Sequence, residues 1–266
     1  MSEPVRIERR GHVLEITLDR PKVNAIDIEA SRALGRAFVR LRDEPELRVG
    51  IVTGAGERVF SAGWDVKAAH AAGGDRLRWW NEDYGPGGFA GLTDLWDLNK
   101  PVIAAVNGHA IGGGFELALA CDLVIAAEHA EFRMPGMALG ILADAGGVQR
   151  MPRRLPYNVM MELFLLGRPL PAAEAHRYGF VNAVVPKSDL MARAREWADA
   201  IAGGAPLTIQ ALKEALRAMD GLSIREAFEL VREGRLPAYE KALDSEDSKE
   251  GVRAFAEKRK AIFKGR

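Results

Sequence analysis

The chain has 266 residues and a balanced charge, with 37 Lys and Arg against 37 Asp and Glu side chains. A formal net charge of zero gives no global attraction to nucleic acid or to an anionic membrane. The single cysteine, Cys121, excludes an internal disulfide and any metal site built from several cysteines. The N-terminus lacks the apolar run of a secretory signal, and polar residues and glycines interrupt the apolar stretch from Val102 to Ala127. We therefore expect a soluble, cytoplasmic protein with no membrane and no nucleic-acid partner.

Short apolar or alternating segments in the first half of the chain are typical of strands. Strands are predicted at residues 5–9, 13–18, 49–54, 102–106 and 122–127. Asp27 is suited to N-cap a helix that ends near Arg42, and residues 73–91 are predicted to form a long loop. From Asp144 the pattern is mainly helical, with one strand at residues 181–185. This order predicts an α/β core over residues 1–203 and a helical C-terminal region over residues 204–266.

The stretch from Asn107 to Asp122 combines a strand end, three glycines and one carboxylate. Gly112, Gly113 and Gly114 precede a short run of helix-forming residues, and Glu116 falls in its first turn. Glycine lets the backbone approach a ligand closely, and the first N–H groups of a helix have no partner within the helix. Such a segment can therefore hold an anion beside Glu116. The alternative is structural: the glycines only permit close packing, and Glu116 only complements the helix dipole.

Residue spacing argues against several other chemistries. No glycine pattern of a dinucleotide site or a nucleotide P-loop is present, and no Gly-x-Ser-x-Gly motif marks a nucleophilic serine. The five histidines form no His-x-x-x-His pair, so no metal site is expected. Cys121 follows an apolar helical segment, where a buried, inert thiol is expected.

Two glycine-bearing strand ends remain, one at Ala62-Gly63-Trp64 and the other at residues 112–114. Each can contribute one backbone N–H to a site that stabilises a developing oxyanion, an effect worth about 3 to 4 kcal/mol per donor. A carboxylate beside that site can move a proton next to the carbonyl group.

Four segments resemble the enoyl-CoA hydratase/isomerase (crotonase) superfamily. They are FSAGWDVK at residues 60–67, KPVIAAVNG at 100–108, GGGFEL at 112–117, and the segment at 139–147, which begins with LGI and ends with GG. The resemblance extends from residue 19 to residue 259. Within the superfamily the chain most resembles the carnitinyl-CoA dehydratases, particularly in the run GPGGFAGLT at residues 85–93.

The resemblance implies an α/β fold, a crotonase-like spiral of ββα units that binds coenzyme A. The backbone N–H groups of Trp64 and Gly113 would hold the thioester oxygen, and Glu116 would be the principal acid/base with Asp144 assisting. Residues implied to contact coenzyme A are Val23, Ala25, Ala62, Asp65, Val66, Phe255 and Lys258. No separate cofactor is implied, because coenzyme A enters as part of the acyl-CoA thioester substrate. A homotrimer or hexamer is implied as well.

One position departs from the family pattern. Hydratases and dehydratases of the family carry a second glutamate directly after the proline that is Pro135 here, and this chain has Gly136. The nearest carboxylate in sequence is Asp144, at a position where some relatives that isomerise or substitute acyl-CoAs have their working aspartate. Asp144 can alternatively N-cap a helix that begins at Gly146.

Three functions follow from these features. The first is a lyase that hydrates an enoyl-CoA or dehydrates the 3-hydroxyacyl-CoA, and the second is an enoyl-CoA isomerase that uses a single carboxylate, which Gly136 favours. The third, a non-catalytic CoA- or RNA-binding member, is disfavoured by the balanced charge. Trp64, Trp79 and Trp80 are candidates to line an acyl pocket for a quaternary ammonium group. Trp79 and Trp80 can alternatively pack the loop or an oligomer contact.

Overall fold

The computed structural model of the chain describes residues 3–72 and 78–266. Within these ranges the strands form three sheets. The strands are Val5–Arg10 (β1), Val13–Leu18 (β2), Ala25–Ile26 (β3), Val49–Gly54 (β4), Val59–Ser61 (β5), Gly63–Trp64 (β6), Val102–Val106 (β7), His109–Ile111 (β8), Leu123–Ala127 (β9), Glu131–Arg133 (β10), Leu170–Pro171 (β11) and Ala183–Val185 (β12).

Helices connect and cover these strands, and the C-terminal part of the chain from residue 190 is helical. The helices are Ile28–Asp43 (α1), Val66–Ala72 (α2), Gly113–Ala120 (α3), Gly136–Leu139 (α4), Gly147–Arg150 (α5), Tyr157–Leu166 (α6), Ala172–Arg177 (α7), Leu190–Ala202 (α8), Pro206–Ala218 (α9), Ile224–Arg232 (α10), Pro237–Leu243 (α11) and Glu246–Ala256 (α12). Short 3-10 turns occur at Trp79–Asn81, Phe89–Gly91, Met151–Arg153 and Lys187–Asp189.

The largest sheet has the strand order β1-β2-β4-β7-β9-β12, and all its neighbouring pairs are parallel except β1 with β2. A second sheet has the order β11-β10-β8-β5, and β3 pairs with β6. The chain repeatedly passes from the large sheet to the second sheet and then into a helix, as in β7-β8-α3 and β9-β10-α4. This path is a spiral of ββα units, so the predicted α/β fold is confirmed.

The strands predicted from the sequence are confirmed with small changes at their ends. The fully buried runs of β4 and β7 form the centre of the parallel sheet, where both faces are covered and no polar alternation is needed. The short strand β5 leads into the strand end predicted at Ala62-Gly63-Trp64. Strands β8 and β10 were not predicted as separate elements, because three residues are too few to show a period.

The predicted loop at residues 73–91 is only partly described. Residues 73–77 lie outside the described residues, and residues 78–91 contain two 3-10 turns joined by irregular backbone. The helix α2, which precedes this loop, was not predicted. Its seven residues are too few for a clear helical period.

Helix α1 begins as predicted, with Asp27 Oδ1 accepting a hydrogen bond from Ala30 N at 2.8 Å. At its C-terminal end, Pro45 has no N–H with which to satisfy the Leu41 carbonyl. The ammonium group of Lys100 replaces this missing donor: its Nζ donates to Leu41 O at 2.8 Å and also to Glu44 O at 2.6 Å. Lys100 is only 5% exposed, and burial lowers its pKa to about 8.

Lys100→Met is expected to lower the free energy of unfolding by about 1–3 kcal/mol, because it leaves the buried Leu41 carbonyl without its partner. Urea unfolding at pH 7 measures the change. Lys241→Met, the same change at an exposed lysine of α11, is the control and is expected to stay within about 0.5 kcal/mol of the wild type. Equal unfolding free energies for the two variants would contradict this role of Lys100.

The main hydrophobic core extends from Val5 in β1 to Ala202 in α8. Helix α8 packs against β2, β4, β7 and β9, on one face of the large sheet. A small second cluster consists of Leu207, Ala211 and Ala242, with Tyr239 against it. Among the described residues, no helix is both long and apolar enough to cross a bilayer.

Candidate active site

A mainly apolar cavity lies between β6, the first turn of α3 and the segment at residues 134–145. The empty space between these elements amounts to about 750 Å³, a figure that includes space open to solvent. Its lining consists of Ala62, Trp64, Val66, Trp79, Phe89, Ile111, Gly112, Gly113, Glu116, Met134, Pro135, Gly136, Leu139, Ile141, Leu142, Ala143, Asp144 and Ala145. Glu116 and Asp144 are the two carboxylates among these lining residues.

The backbone amides of Trp64 and Gly113 lie on the same wall of this cavity. Gly113 is the first residue of α3, where the N–H has no partner within the helix. A Cβ built on Gly113 would be 3.3 Å from Trp64 N, and one built on Gly63 would be 2.5 Å from Gly113 N. The structure therefore brings together the two strand ends from which an oxyanion site was predicted. Their catalytic role remains a prediction.

Two buried polar side chains support this wall. Ser61 Oγ donates to Asn24 O at 2.7 Å and accepts a hydrogen bond from Gly63 N at 3.0 Å. Asn24 Nδ2 donates to the carbonyls of Ala55 and Val59. These bonds hold β3, β5 and β6 in register and thereby place the amide of Trp64.

Glu116 is 5% exposed and lies in the first turn of α3. Its Oε1 accepts a hydrogen bond from Gly147 N at 2.8 Å. The pKa of Glu116 is raised to about 7. Burial is the main cause and the nearby charge of Asp144 adds to it, whereas the N–H groups of Gly147 and Ala145 and the charge of Arg150 partly oppose the rise. A carboxyl group with this pKa can both accept and donate a proton near neutral pH.

The side chain of Asp144 is held by a tryptophan. Trp79 Nε1 donates to Asp144 Oδ1 at 2.8 Å, while the backbone carbonyl of Asp144 accepts from Gln149 Nε2 at 2.8 Å. The alternative that Asp144 N-caps the following helix is wrong. Helix α5 begins at Gly147, its N-cap residue is Gly146, and no side chain caps it.

Gly136 has no room for the second family glutamate. A Cβ built at this position would overlap the carbonyl oxygen of Ile141, whose own N–H donates to Gly136 O at 2.9 Å. A larger residue would therefore have to displace the backbone of the cavity wall. Asp144 also lines the cavity, and among the described lining residues it is the only carboxylate besides Glu116.

Three aromatic residues, Trp64, Trp79 and Phe89, line the cavity, and we call them the aromatic wall. The ring of Trp79 packs edge-on against Tyr84 and Phe89, with centroid distances of 5.7 and 6.2 Å. The prediction that Trp80 lines the pocket is wrong, because Trp80 is 58% exposed and contacts the edge of Trp79 from outside the lining. Trp80 follows Trp79 in a 3-10 turn, which directs adjacent side chains in different directions.

The residues predicted to contact coenzyme A form two groups. In the first, Ala62 and Val66 line the cavity, Val23 O accepts from Ala62 N at 2.9 Å, and Ala25 pairs with Gly63. Asp65 belongs to the same region, but its carboxylate is paired with Arg20 at 2.6 Å and caps α2 through Ala68 N. In the second group, Phe255 is 88% exposed in α12, and Lys258 follows that helix. Neither is part of the cavity lining, and their contact with coenzyme A remains a prediction.

The described residues contain no group of three or more His, Cys, Asp or Glu side chains placed to hold a metal ion. Cys121 is buried, as expected, and its Sγ donates to Leu117 O at 3.3 Å. Burial raises the pKa of Cys121 to about 12. Its thiol is therefore protonated at neutral pH and takes no part in the cavity.

Comparison with known proteins agrees with this geometry. Residues 8–266 match the family model described as enoyl-CoA hydratase/isomerase. The chain belongs to the enoyl-CoA hydratase/isomerase family. It is 54% identical over 266 residues, which cover 100% of both chains, to carnitinyl-CoA dehydratase from Salmonella typhi.

Solved structures of the family show the same fold. Enoyl-CoA hydratase from Mycobacterium tuberculosis H37Rv aligns over 100% of both chains, with a TM-score of 0.88 and 36% identity. A probable enoyl-CoA hydratase/isomerase from Mycobacterium abscessus also aligns over 100% of both chains, with a TM-score of 0.87 and 39% identity. As a member of this family the chain is an enzyme, which sets aside the non-catalytic alternative.

Three supporting groups of this family member were not predicted from the sequence. The N–H of Gly147 donates to Glu116, and the indole N–H of Trp79 donates to Asp144. The hydroxyl oxygen of Ser61 accepts from the N–H of Gly63. The last involves residues two apart, and a local search for side-chain acceptors would have found it. The other two join residues 31 and 65 positions apart, and no local pattern in the sequence indicates them.

Proposed function

We propose that this enzyme reversibly adds water to an enoyl-CoA and removes it from the 3-hydroxyacyl-CoA, as a carnitinyl-CoA dehydratase does. The observation that carries the proposal is the position of Glu116. It is a buried carboxyl group with a pKa raised to about 7, in the first turn of the helix whose first residue, Gly113, lies beside the backbone nitrogen of Trp64. The relatives named carnitinyl-CoA dehydratase support the same reaction.

In the direction of hydration, the ionised Glu116 accepts a proton from water while the water oxygen bonds to Cβ of the enoyl thioester. The electron pair of the Cα–Cβ double bond moves to the thioester carbonyl and gives an enolate. The N–H groups of Trp64 and Gly113 donate to this enolate oxygen, where negative charge develops. Glu116 then returns its proton to Cα, so the carboxylate is restored and atoms and charges balance.

We assign the orientation of the attacking water to Asp144. It is the second carboxylate in the lining, and its segment also supplies the N–H groups that hold Glu116. An ionised carboxylate accepts hydrogen bonds only, which suits it to fix one water proton while Glu116 removes the other. This role compensates for Gly136.

The acyl group is proposed to be a carnitinyl group, which carries a quaternary ammonium. Trp64, Trp79 and Phe89 supply aromatic rings in the lining, which such cations favour at about 0.5–2 kcal/mol for each ring. The carboxylate of Asp144 adds a negative charge beside this aromatic wall.

Coenzyme A is proposed to lie along the first group of contact residues, Val23, Ala25, Ala62, Asp65 and Val66, with Phe255 and Lys258 at the nucleotide end. Lys258 would serve as a flexible cation for phosphate. No separate cofactor is proposed, because coenzyme A is part of the substrate.

The helical region at residues 204–266 is proposed as a separate unit that mediates assembly into a trimer or hexamer, in a cytoplasmic enzyme. Its exposed apolar side chains support a contact with other copies of the chain. They include Leu212, Leu216, Ile224, Phe228 and Val252. The small cluster around Leu207 and Ala242 gives this region packing of its own.

Product analysis with three substrates tests the proposed reaction. We expect the wild type to add water to crotonobetainyl-CoA at least about tenfold faster, in kcat/KM, than to crotonyl-CoA, if each aromatic contact contributes about 1 kcal/mol. A 3-enoyl-CoA measures double-bond migration in the same assay. Absence of a hydrated product from both 2-enoyl-CoAs would refute the proposed function, whereas equal rates would refute only the quaternary ammonium substrate.

The second candidate is an enoyl-CoA isomerase. The observation that favours it is the closed position at Gly136, which leaves Glu116 as the one deeply buried carboxylate of the cavity. A single carboxylate suffices to carry a proton between two carbons of an enolate. Conversion of the 3-enoyl-CoA without water addition to the 2-enoyl-CoAs would establish this alternative.

A further inference from the structure

Trp79 links two parts of the cavity lining. Its ring belongs to the aromatic wall and packs edge-on against Tyr84 and Phe89. Its indole N–H donates to Asp144 Oδ1 at 2.8 Å. The described 3-10 turn at Trp79–Asn81 is thereby attached to the segment at residues 141–147.

That segment carries the groups that control both carboxylates. It contains Asp144 itself, and the N–H groups of Ala145 and Gly147 that bind Glu116. A backbone bond from Val148 N to Ala143 O at 3.0 Å holds the segment to the residue that follows it, but it does not involve the side chain of Asp144. The bond from Trp79 selects one orientation of that side chain.

The aromatic wall also reaches the amide of Gly113. A Cβ built on Gly113 would come within 2.5 Å of the ring of Phe89, so that ring lies directly on the glycine backbone. Phe89 in turn contacts Trp79. A continuous line of contacts therefore runs from Gly113 through Phe89 and Trp79 to Asp144.

Hydrogen bonds to an ionised carboxylate are shorter and about twice as strong as those between neutral groups. Misplacement of a reacting group by about 1 Å can cost about 10²-fold in rate. A single indole N–H is therefore sufficient to decide whether Asp144 is held where the water must lie.

We propose that Trp79 is a positioning residue for water addition: its indole N–H holds the Asp144 carboxylate in the orientation that receives the attacking water. This inference rests on the proposed function. It assigns to Trp79 a role beyond contact with the acyl group, one that needs a hydrogen-bond donor and that phenylalanine could not fill.

The test is Trp79→Phe, which keeps a ring on Tyr84 and Phe89 and removes the donor. With crotonyl-CoA, which lacks the quaternary ammonium group, we expect kcat for hydration to fall about tenfold or more, with KM changed less than about twofold. Trp80→Phe is the matched control, because it makes the same change at the adjacent residue, whose side chain is outside the lining. This control is expected to leave kcat unchanged.

A double-mutant cycle separates positioning from packing. If Trp79 acts through Asp144, adding Trp79→Phe to Asp144→Ala should lower kcat no further than Asp144→Ala alone, because the group it positions is gone. Additive losses would overturn the inference and show that Trp79 contributes only packing or substrate contact.

A measurement without substrate keeps the inference separate from the proposed function. In protein with ¹⁵N-labelled tryptophan, the indole resonance that is absent from Trp79→Phe identifies Trp79. We expect that resonance to move, and its N–H to exchange faster with solvent, in Asp144→Ala. An unchanged resonance would overturn the inference even if hydration is observed. A shifted resonance in a protein that adds no water would refute the proposed function, and with it the role in water addition, while confirming the hydrogen bond between Trp79 and Asp144.

Discussion

Glu116→Gln is expected to lower kcat/KM for water addition by about 10²–10⁴-fold, the usual contribution of a positioned acid/base. Glutamine keeps the size of the side chain and an oxygen that can accept from Gly147 N, so the first turn of α3 should remain in place. What it removes is the group that carries the proton between water and Cα.

The pH dependence gives a second measure of the same residue. Because burial raises the pKa of Glu116 to about 7, its ionised fraction falls as the pH drops below 7. Wild-type kcat/KM should therefore decline towards acid pH, about tenfold per pH unit at the limit, and Glu116→Gln should lose this dependence.

Glu128→Gln is the control for Glu116→Gln, because it makes the same change of charge at an exposed site. Its rate and its pH profile should match those of the wild type. Water addition that survives Glu116→Gln within about tenfold would show that another group is the main acid/base.

The second large effect is expected at Gly63. Its φ is +80°, and a Cβ there would overlap Ile111 O and come within 2.5 Å of Gly113 N. Gly63→Ala should therefore push apart the two amides that are proposed to hold the enolate oxygen. Loss of one such donor costs about 10²–10³-fold in kcat, so we expect a loss of that size.

Gly56→Ala separates this effect from backbone strain. Gly56 has almost the same φ, +82°, but a Cβ there would have no heavy atom within 4 Å. Both variants should lose about 1–2 kcal/mol of stability from the left-handed conformation, and only Gly63→Ala should lose activity. Steady-state kinetics and urea unfolding of the two proteins measure this difference, and equal kcat values would argue against an oxyanion site at the amides of Trp64 and Gly113.

The sequence by itself was sufficient for the family and for the general fold. Family motifs stand in order from residue 60 to residue 147, and the match of residues 8–266 to the family model confirms the assignment. The hairpin β1–β2, helix α1 and the central strands were also predictable, because each has a local apolar pattern or a capping residue that depends on neighbours in sequence.

The position of Glu116 was partly predictable. Its place in the first turn of a helix follows from the glycines before it, so a site near the amides was a reasonable prediction. Its raised pKa was not, because burial comes from residues that are distant in the chain. The same holds for Gly136. Its identity is visible in the sequence, but only the backbone of Ile141 shows that a larger side chain is excluded.

For Asp144 the sequence left two roles open, a helix cap or a catalytic residue, and only the tertiary structure removed the first. The structure also shows a contact of the Asp144 side chain that the sequence did not indicate, with Trp79, which is 65 residues earlier in the chain. The sequence therefore determined which chemical groups this enzyme possesses and which short elements carry them. The tertiary structure decided which groups meet, because the spiral of ββα units brings separate turns of the chain to one cavity, and no local pattern encodes those contacts.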